Sequence, residues 1–203
     1  QLREAVLGMR EACSAFETPV TGGNVSLFNE TDGKAIYPTP VIGMVGVIDD
    51  VSKIIRHAFN SPGDDIVLLG TNSGELGGSE YLYATSKLVA GHPPSVDLEA
   101  ERLLQQAVLK MNHEEVLNSA HDCSEGGLAA TLAECALGNG ENPLGVTVEV
   151  DEDLAPIVSL FGESHGRIVA STSPENTERV LALAALYDVP AKRIGTVTEM
   201  ASG

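Results

Sequence analysis

Apolar residues fall into short, well-separated patterns along this chain, and their periods alternate between helical and extended. From Gln1 to Phe16 the positions Leu2, Ala5, Val6, Met9 and Ala12 form the stripe of an amphipathic helix. No cap or turn precedes it, which reads as a start inside a larger domain. Thr18 to Glu30 is a glycine-containing loop. Thr39 to Ile48 follows as a nearly continuous apolar run (Val41, Ile42, Met44, Val45, Val47, Ile48) of the kind expected for a buried strand, with Pro38 and Pro40 at its start. Val51 to Phe59 reads as a short helix or crossing segment, and Asn60-Ser61-Pro62-Gly63-Asp64 is a turn cluster that marks a domain boundary.

Beyond that turn the pattern is that of one α/β unit. Strands are expected at Ile66 to Leu69, Val146 to Val150, Arg167 to Ser171 and Arg193 to Thr198. Asp97 to Leu117 is expected to be a helix with Leu103, Ala107, Val108 and Met111 on one face, and a second helix should run from about Glu125 to Leu137. Ser173-Pro174 opens a third, with Ser as cap and Pro at the first helical position. Ala201-Ser202-Gly203 reads as a tail, and no solenoid repeat is present. The fold class is therefore α/β, with a mixed α+β sheet, divided into residues 1–60 and 61–203.

Composition narrows the chemistry. Across 203 residues, 12 basic and 29 acidic side chains give a net charge of −17, which opposes general binding to nucleic acid or an anionic membrane. An anionic ligand would have to be held by backbone amides, a divalent metal, or cations from elsewhere. The absence of Trp and an aromatic content of 4% disfavour a stacking platform for single strands. No apolar run approaches the roughly 18 residues of a membrane span, and a cytoplasmic protein is expected. Cys13, Cys123 and Cys135 form neither a CxxC pair nor an even set, consistent with reduced thiols.

Four glycine motifs carry candidate chemistry. In Thr21-Gly22-Gly23-Asn24-Val25-Ser26-Leu27-Phe28-Asn29-Glu30, paired glycines allow close backbone approach to a phosphate, and Asn24 and Ser26 supply small neutral oxygens, one of them suited to Mg²⁺. The alternative is a loop in which Gly supplies positive φ and Asn caps a turn. In His121-Asp122-Cys123-Ser124-Glu125-Gly126-Gly127-Leu128, Ser124 can cap the following helix, whose first amides would face an anion, while Asp122 could ligate a metal. The alternative there is an ordinary cap with a close-packed glycine pair. His121 and Cys123 do not make a convincing nucleophile and base, since nothing orients one toward the other. Leu76-Gly77-Gly78-Ser79-Glu80-Tyr81 is expected to serve packing, and Phe161-Gly162-Glu163-Ser164-His165-Gly166-Arg167 a tight turn. His165 and the carboxylates Asp151, Glu152 and Asp153 are most simply solvated.

Taken in order, these four motifs, together with Pro38-Thr-Pro-Val-Ile-Gly-Met-Val-Gly-Val-Ile, resemble the second internal half of the subunit-type phosphoribosylformylglycinamidine synthases over nearly the whole chain. Those enzymes belong to the ATP-binding superfamily of aminoimidazole ribonucleotide synthetase, selenophosphate synthetase and thiamine-monophosphate kinase. The resemblance implies the end of a barrel-forming N-terminal domain followed by a C-terminal α/β domain. It further implies an ATP-dependent C–N ligase of purine biosynthesis that converts formylglycinamide ribonucleotide and ammonia to formylglycinamidine ribonucleotide. ATP is expected to activate the amide oxygen as an iminophosphate. Partners implied are the remainder of the synthase chain, a glutaminase subunit that supplies ammonia, and a small accessory subunit.

Carried over by motif, Gly23 would contact ATP, Asn24 would bind Mg²⁺ and Ser26 the ribonucleotide, with Asp122 and Ser124 as further nucleotide or metal contacts. No segment matches the half of the family that holds its catalytic histidines, so no catalytic residue is assigned and the chain alone should be inactive. Two other readings are a non-catalytic half that holds nucleotide for stability and another superfamily member. An unpaired sheet edge near residues 37–48 should also favour dimerisation.

Overall fold

A computed structural model describes residues 1–140, 142–150 and 153–200, which fold as two compact units, Gln1–Asp49 and Asp50–Gly203. Asp151, Glu152 and the expected tail at 201–203 lie outside the described residues.

In the first unit, helix α1 (Leu2–Ala15) forms where its stripe predicts, starting from Gln1 without a side-chain cap. A two-residue antiparallel ladder, β1 (Glu30–Thr31) with β2 (Lys34–Ala35), closes through Asp32-Gly33. Both turn residues have positive φ, 52° and 73°, the conformation a tight hairpin needs and the reason Asp-Gly occurs there. The buried strand expected at Thr39 to Ile48 is absent: the segment is irregular and exposed, with Val45 at 94% exposure. A strand exists only where another backbone pairs with it, and among the described residues no ladder includes this segment. Its apolar sequence states a preference for burial that this unit does not satisfy.

The second unit is built on strands β3 (Asp65–Leu69), β4 (Ser119–Asp122), β5 (Leu144–Val148), β6 (Ile168–Thr172) and β7 (Ala191–Glu199). They form one sheet in the order β4-β6-β3-β7-β5, with every ladder antiparallel. Helices α2 (Glu80–Ser86), α3 (Leu98–His113), α4 (Gly127–Leu137), α5 (Pro156–Phe161) and α6 (Thr177–Leu186) complete it. The α/β class expected from the sequence is what the structure holds.

Alternation along the strands sends side chains to both faces. Val67 and Leu69 of the central strand meet Leu104, Ala107 and Met111 of α3 and Val180, Leu183 and Ala184 of α6. Ile66 points the other way, to a second core with Val169, Ile194 and Val197 from the sheet and Leu128, Leu132, Cys135 and Ala136 of α4. The sheet is thus covered on both sides, which is why β3 reads as an uninterrupted apolar run. Phe59 is fully buried in the second core and Ile55 packs against the first, so residues 50–60 lie with this unit.

Asp97 caps α3, accepting from the Glu99 and Ala100 amides at 3.0 Å. That helix ends at His113 rather than Leu117 because Glu115 adopts φ 57°, turning Val116 and Leu117 back into the core. At Ser173 the expected cap differs too: Pro174–Asn176 forms a single 3₁₀ turn, no Ser173 side-chain bond is made, and α6 starts at Thr177, whose hydroxyl donates to Asp65 at 2.7 Å.

Candidate functional site

In the first unit, residues Thr21 to Ser26 are exposed and belong to no helix or strand. Gly22 and Gly23 avoid positive φ, and a Cβ on either would meet nothing within 4 Å. Glycine is therefore not required there by turn geometry or by packing within the described chain. Asn24 and Ser26 are exposed and make no side-chain hydrogen bond within the described residues. Their oxygens are free to meet a ligand.

In the second unit the other three glycine motifs, separated by up to about 90 residues in sequence, converge at one end of the sheet. Glu163 is the junction. Its Oε1 accepts the Glu80 amide at 2.9 Å and the Gly126 amide at 2.8 Å, while its own amide donates to Glu75 O at 2.9 Å. Ser164 Oγ accepts from the amides of Ser73 (3.2 Å) and Glu75 (3.4 Å). The Tyr81 ring stacks on Phe161 with centroids 5.0 Å apart, and Ser79 caps α2 through the Leu82 amide. The 161–167 motif is not the hydrogen-bonded tight turn expected: it leaves α5 extended at Gly162 and bends at His165-Gly166 into β6, and its charged members organise the neighbouring motifs.

Arg167, only 2% exposed, donates from Nε to Ser164 O at 3.0 Å and from Nη2 to Gly162 O at 2.6 Å, leaving Nη1 without a partner among the described residues. Burial pulls its pKa below the ordinary arginine value, opposed by Cys123, Glu163 and Glu75 nearby. Glu75 Oε1 accepts the amide and hydroxyl of Ser95 and its Oε2 the hydroxyl of Ser73. Those bonds, the Ser95 amide foremost, hold its carboxyl down at about 2.

The 121–128 motif spans the end of β4 and the start of α4. Gly126 and Gly127 both take the left-handed conformation, at φ 79° and 64°, and a Cβ on Gly127 would lie 2.5 Å from Gly162 O. Ser124 does not cap α4. Its hydroxyl donates instead to Asp122 Oδ2 at 2.5 Å, and its carbonyl accepts the Gly127 amide; the helix cap is Gly126, which has no side chain to offer. The Ser124 hydroxyl is also the first reason the Asp122 carboxyl lies below its usual range, with partial burial opposing and His121 adding to it.

Asp122 and His121 line an open cleft of about 850 Å³ with His57, Glu134, Leu137 and Ile168. His121 Nε2 lies 2.8 Å from Glu134 Oε2 and Nδ1 3.4 Å from Asp122 Oδ1, and its ring centroid is 5.3 Å from that of His57. Cys123 turns inward to the core, where burial raises its thiol pKa. It is therefore held protonated, away from the cleft, and does not pair with His121 as nucleophile and base.

Residues 61–203 match the family described as AIR synthase related protein, C-terminal domain, and residues 1–48 match the corresponding N-terminal domain. The chain belongs to the AIR synthase related family. Phosphoribosylformylglycinamidine synthase subunit PurL of Caldanaerobacter subterraneus subsp. tengcongensis is 47% identical over 197 residues, covering 97% of this chain and 26% of that protein. The same subunit of Moorella thermoacetica is 49% identical over 195 residues, covering 96% and 26%. Thermotoga maritima PurL complexed with AMPPCP matches in structure with a TM-score of 0.57 at 26% identity, over 73% of this chain and 24% of that one. The chain spans about a quarter of the length of the curated relatives it matches.

Within this AIR synthase related chain, Gly23, Asn24 and Ser26 share one exposed loop, and Asp122 and Ser124 share one hydrogen bond at the rim of the cleft. His165 and Asp153 are exposed. Among the described residues no cluster of three or more His, Cys, Asp or Glu could hold a metal, and no helix is long and apolar enough to cross a membrane. Sequence reasoning missed the roles of Glu75, Glu163 and Arg167. The signal was present in charged residues set among glycines, since a carboxylate next to a glycine turn is a natural acceptor for free amides.

Proposed function

We propose that this chain is part of an ATP-dependent phosphoribosylformylglycinamidine synthase, contributing one wall of the site where formylglycinamide ribonucleotide, ammonia and ATP give formylglycinamidine ribonucleotide. The observation that carries the proposal is the Gly22–Ser26 loop, exposed and with side chains unpartnered, in a chain 47% identical to PurL over 97% of its length. Within the described residues neither packing nor turn geometry calls for these paired glycines, which leaves room for close main-chain approach by a ligand.

In this reading the Gly23 amide would donate to an ATP phosphate, and Asn24 Oδ1 would be the ligand this loop offers to Mg²⁺. A single carboxamide oxygen fits that ion, which keeps waters and phosphate oxygens as its other ligands and needs few protein groups. When bound, Mg²⁺ neutralises phosphate charge during transfer. The Ser26 hydroxyl orients the ribonucleotide, and Asp122 with Ser124 makes a further nucleotide or metal contact. With a net charge of −17, neutral oxygens and amides avoid the repulsion that more carboxylates would bring to a polyphosphate.

The cytoplasmic location and partnership with the rest of the synthase chain, a glutaminase subunit and a small accessory subunit belong to the same proposal. The sheet edge expected at residues 37–48 is absent, because that segment forms no strand; dimerisation is proposed through its exposed apolar side chains instead. The 203 residues alone are not expected to turn over. The test is Asn24→Ala and Ser26→Ala in the complete synthase: turnover should fall at least about tenfold for each, the loss expected from one contact to a charged ligand, with unfolding midpoints unchanged. Normal turnover with lowered stability would instead mean a nucleotide-holding structural half.

A further inference from the structure

Gly127 is held by close packing against Gly162, but the left-handed Gly126 before it has no side chain to fix the loop that leads into α4. Something else must hold the Gly126 amide, and that is the Glu163 carboxylate at 2.8 Å. The same oxygen holds the Glu80 amide, the first residue of α2, at 2.9 Å, so one side chain ties two helix starts to the turn after α5. A negative charge is favourable at both starts, where amides have no partner within the helix. Downstream of the Gly126 anchor, Gly127 N bonds Ser124 O, and Ser124 Oγ bonds Asp122. Every hydrogen bond in that series passes from Glu163 to Asp122 through main chain or one short hydroxyl.

We propose that Glu163 is a positioning residue for the Asp122–Ser124 loop, setting the main-chain course that aims this pair at a metal-bound nucleotide. The inference rests on the reading of Asp122 and Ser124 as nucleotide or metal contacts, and goes beyond it by assigning their geometry to a carboxylate about 40 residues away in sequence.

The experiment measures steady-state kinetics with Mg²⁺·ATP varied, using the complete synthase and the variants Glu163→Ala, Glu163→Gln, Glu163→Asp and Asp122→Asn. Loss of two amide bonds to a charged acceptor should raise KM for ATP about tenfold in Glu163→Ala, with kcat within about threefold of the parent. Glu163→Gln keeps an acceptor oxygen in place and should return KM to within about threefold. If Glu163→Ala does not fold, Glu163→Asp decides: its carboxylate is one methylene short of the two amides, and KM should rise about fivefold. A raised KM in Asp122→Asn beside parental values in Glu163→Ala, or in Glu163→Asp where it is the deciding variant, would overturn the positioning role alone. Parental kinetics in Asp122→Asn would overturn the loop reading, and the inference with it.

Discussion

Replacing Gly127 by Ala probes the place where the three motifs of the second unit meet. The new Cβ would stand 2.5 Å from Gly162 O, 2.9 Å from Phe161 C and 3.0 Å from Leu160 O, all main-chain atoms that cannot rotate away. Its backbone would also have to keep φ 64°, which costs an L residue about 1–2 kcal/mol. Pushing α4 off the turn after α5 adds an overpacking penalty of about 1–3 kcal/mol. Together these come to about 3 kcal/mol, and for a unit of this size the thermal midpoint should drop by roughly 6–12 °C. Gly140→Ala is the control, since it carries a similar φ of 61° with nothing within 4 Å, and should lose only the conformational part, about 1.5 kcal/mol or roughly 3–6 °C. Differential scanning calorimetry of both variants supplies the comparison. Equal shifts would refute the claim that Gly127 is required by close packing against Gly162.

Stability should also depend on Glu75 in acid. Its carboxyl is held at about 2 against an ordinary 4.5, so the ionised form is favoured on folding; its contribution is complete above pH 4.5 and is lost as pH falls toward 2. Urea midpoints of the parent and Glu75→Gln should therefore differ at neutral pH and converge in strong acid, and a gap that stays constant with pH would show that these bonds do not act through ionisation. The exposed apolar segment at 37–48 should drive self-association, which Val45→Lys should reduce in sedimentation velocity; a strict monomer at high concentration in the parent would contradict this.

The sheet and its main helices were legible because β3, β6, β7, α3 and α4 bury apolar side chains in long regular patterns. Strand β4 was not, because it is short and polar: Ser119 is buried by bonding Ser171 Oγ at 2.7 Å, an arrangement no periodicity reveals. The run at Thr39 to Ile48 misled in the opposite direction. Its pattern is that of a buried strand, yet a strand depends on partners that sequence periodicity does not specify. At the candidate site, residue types in Gly22–Ser26 and Asp122–Ser124 suggested ligand chemistry directly. The role of Ser124 as a cap did not hold, since Asp122 two residues earlier competes for its hydroxyl. Convergence of the other three motifs was invisible because it depends on long-range bonds from Glu163 and Ser164.

The central claim is that the Gly22–Ser26 loop touches the metal-bound nucleotide. Hydrogen–deuterium exchange of the complete synthase, with and without Mg²⁺ and AMPPCP, tests it most directly. Amides from Thr21 to Glu30 are exposed in this chain and should exchange markedly more slowly once the nucleotide is bound. Unchanged exchange across that stretch, with nucleotide-dependent protection elsewhere in the enzyme, would contradict the account.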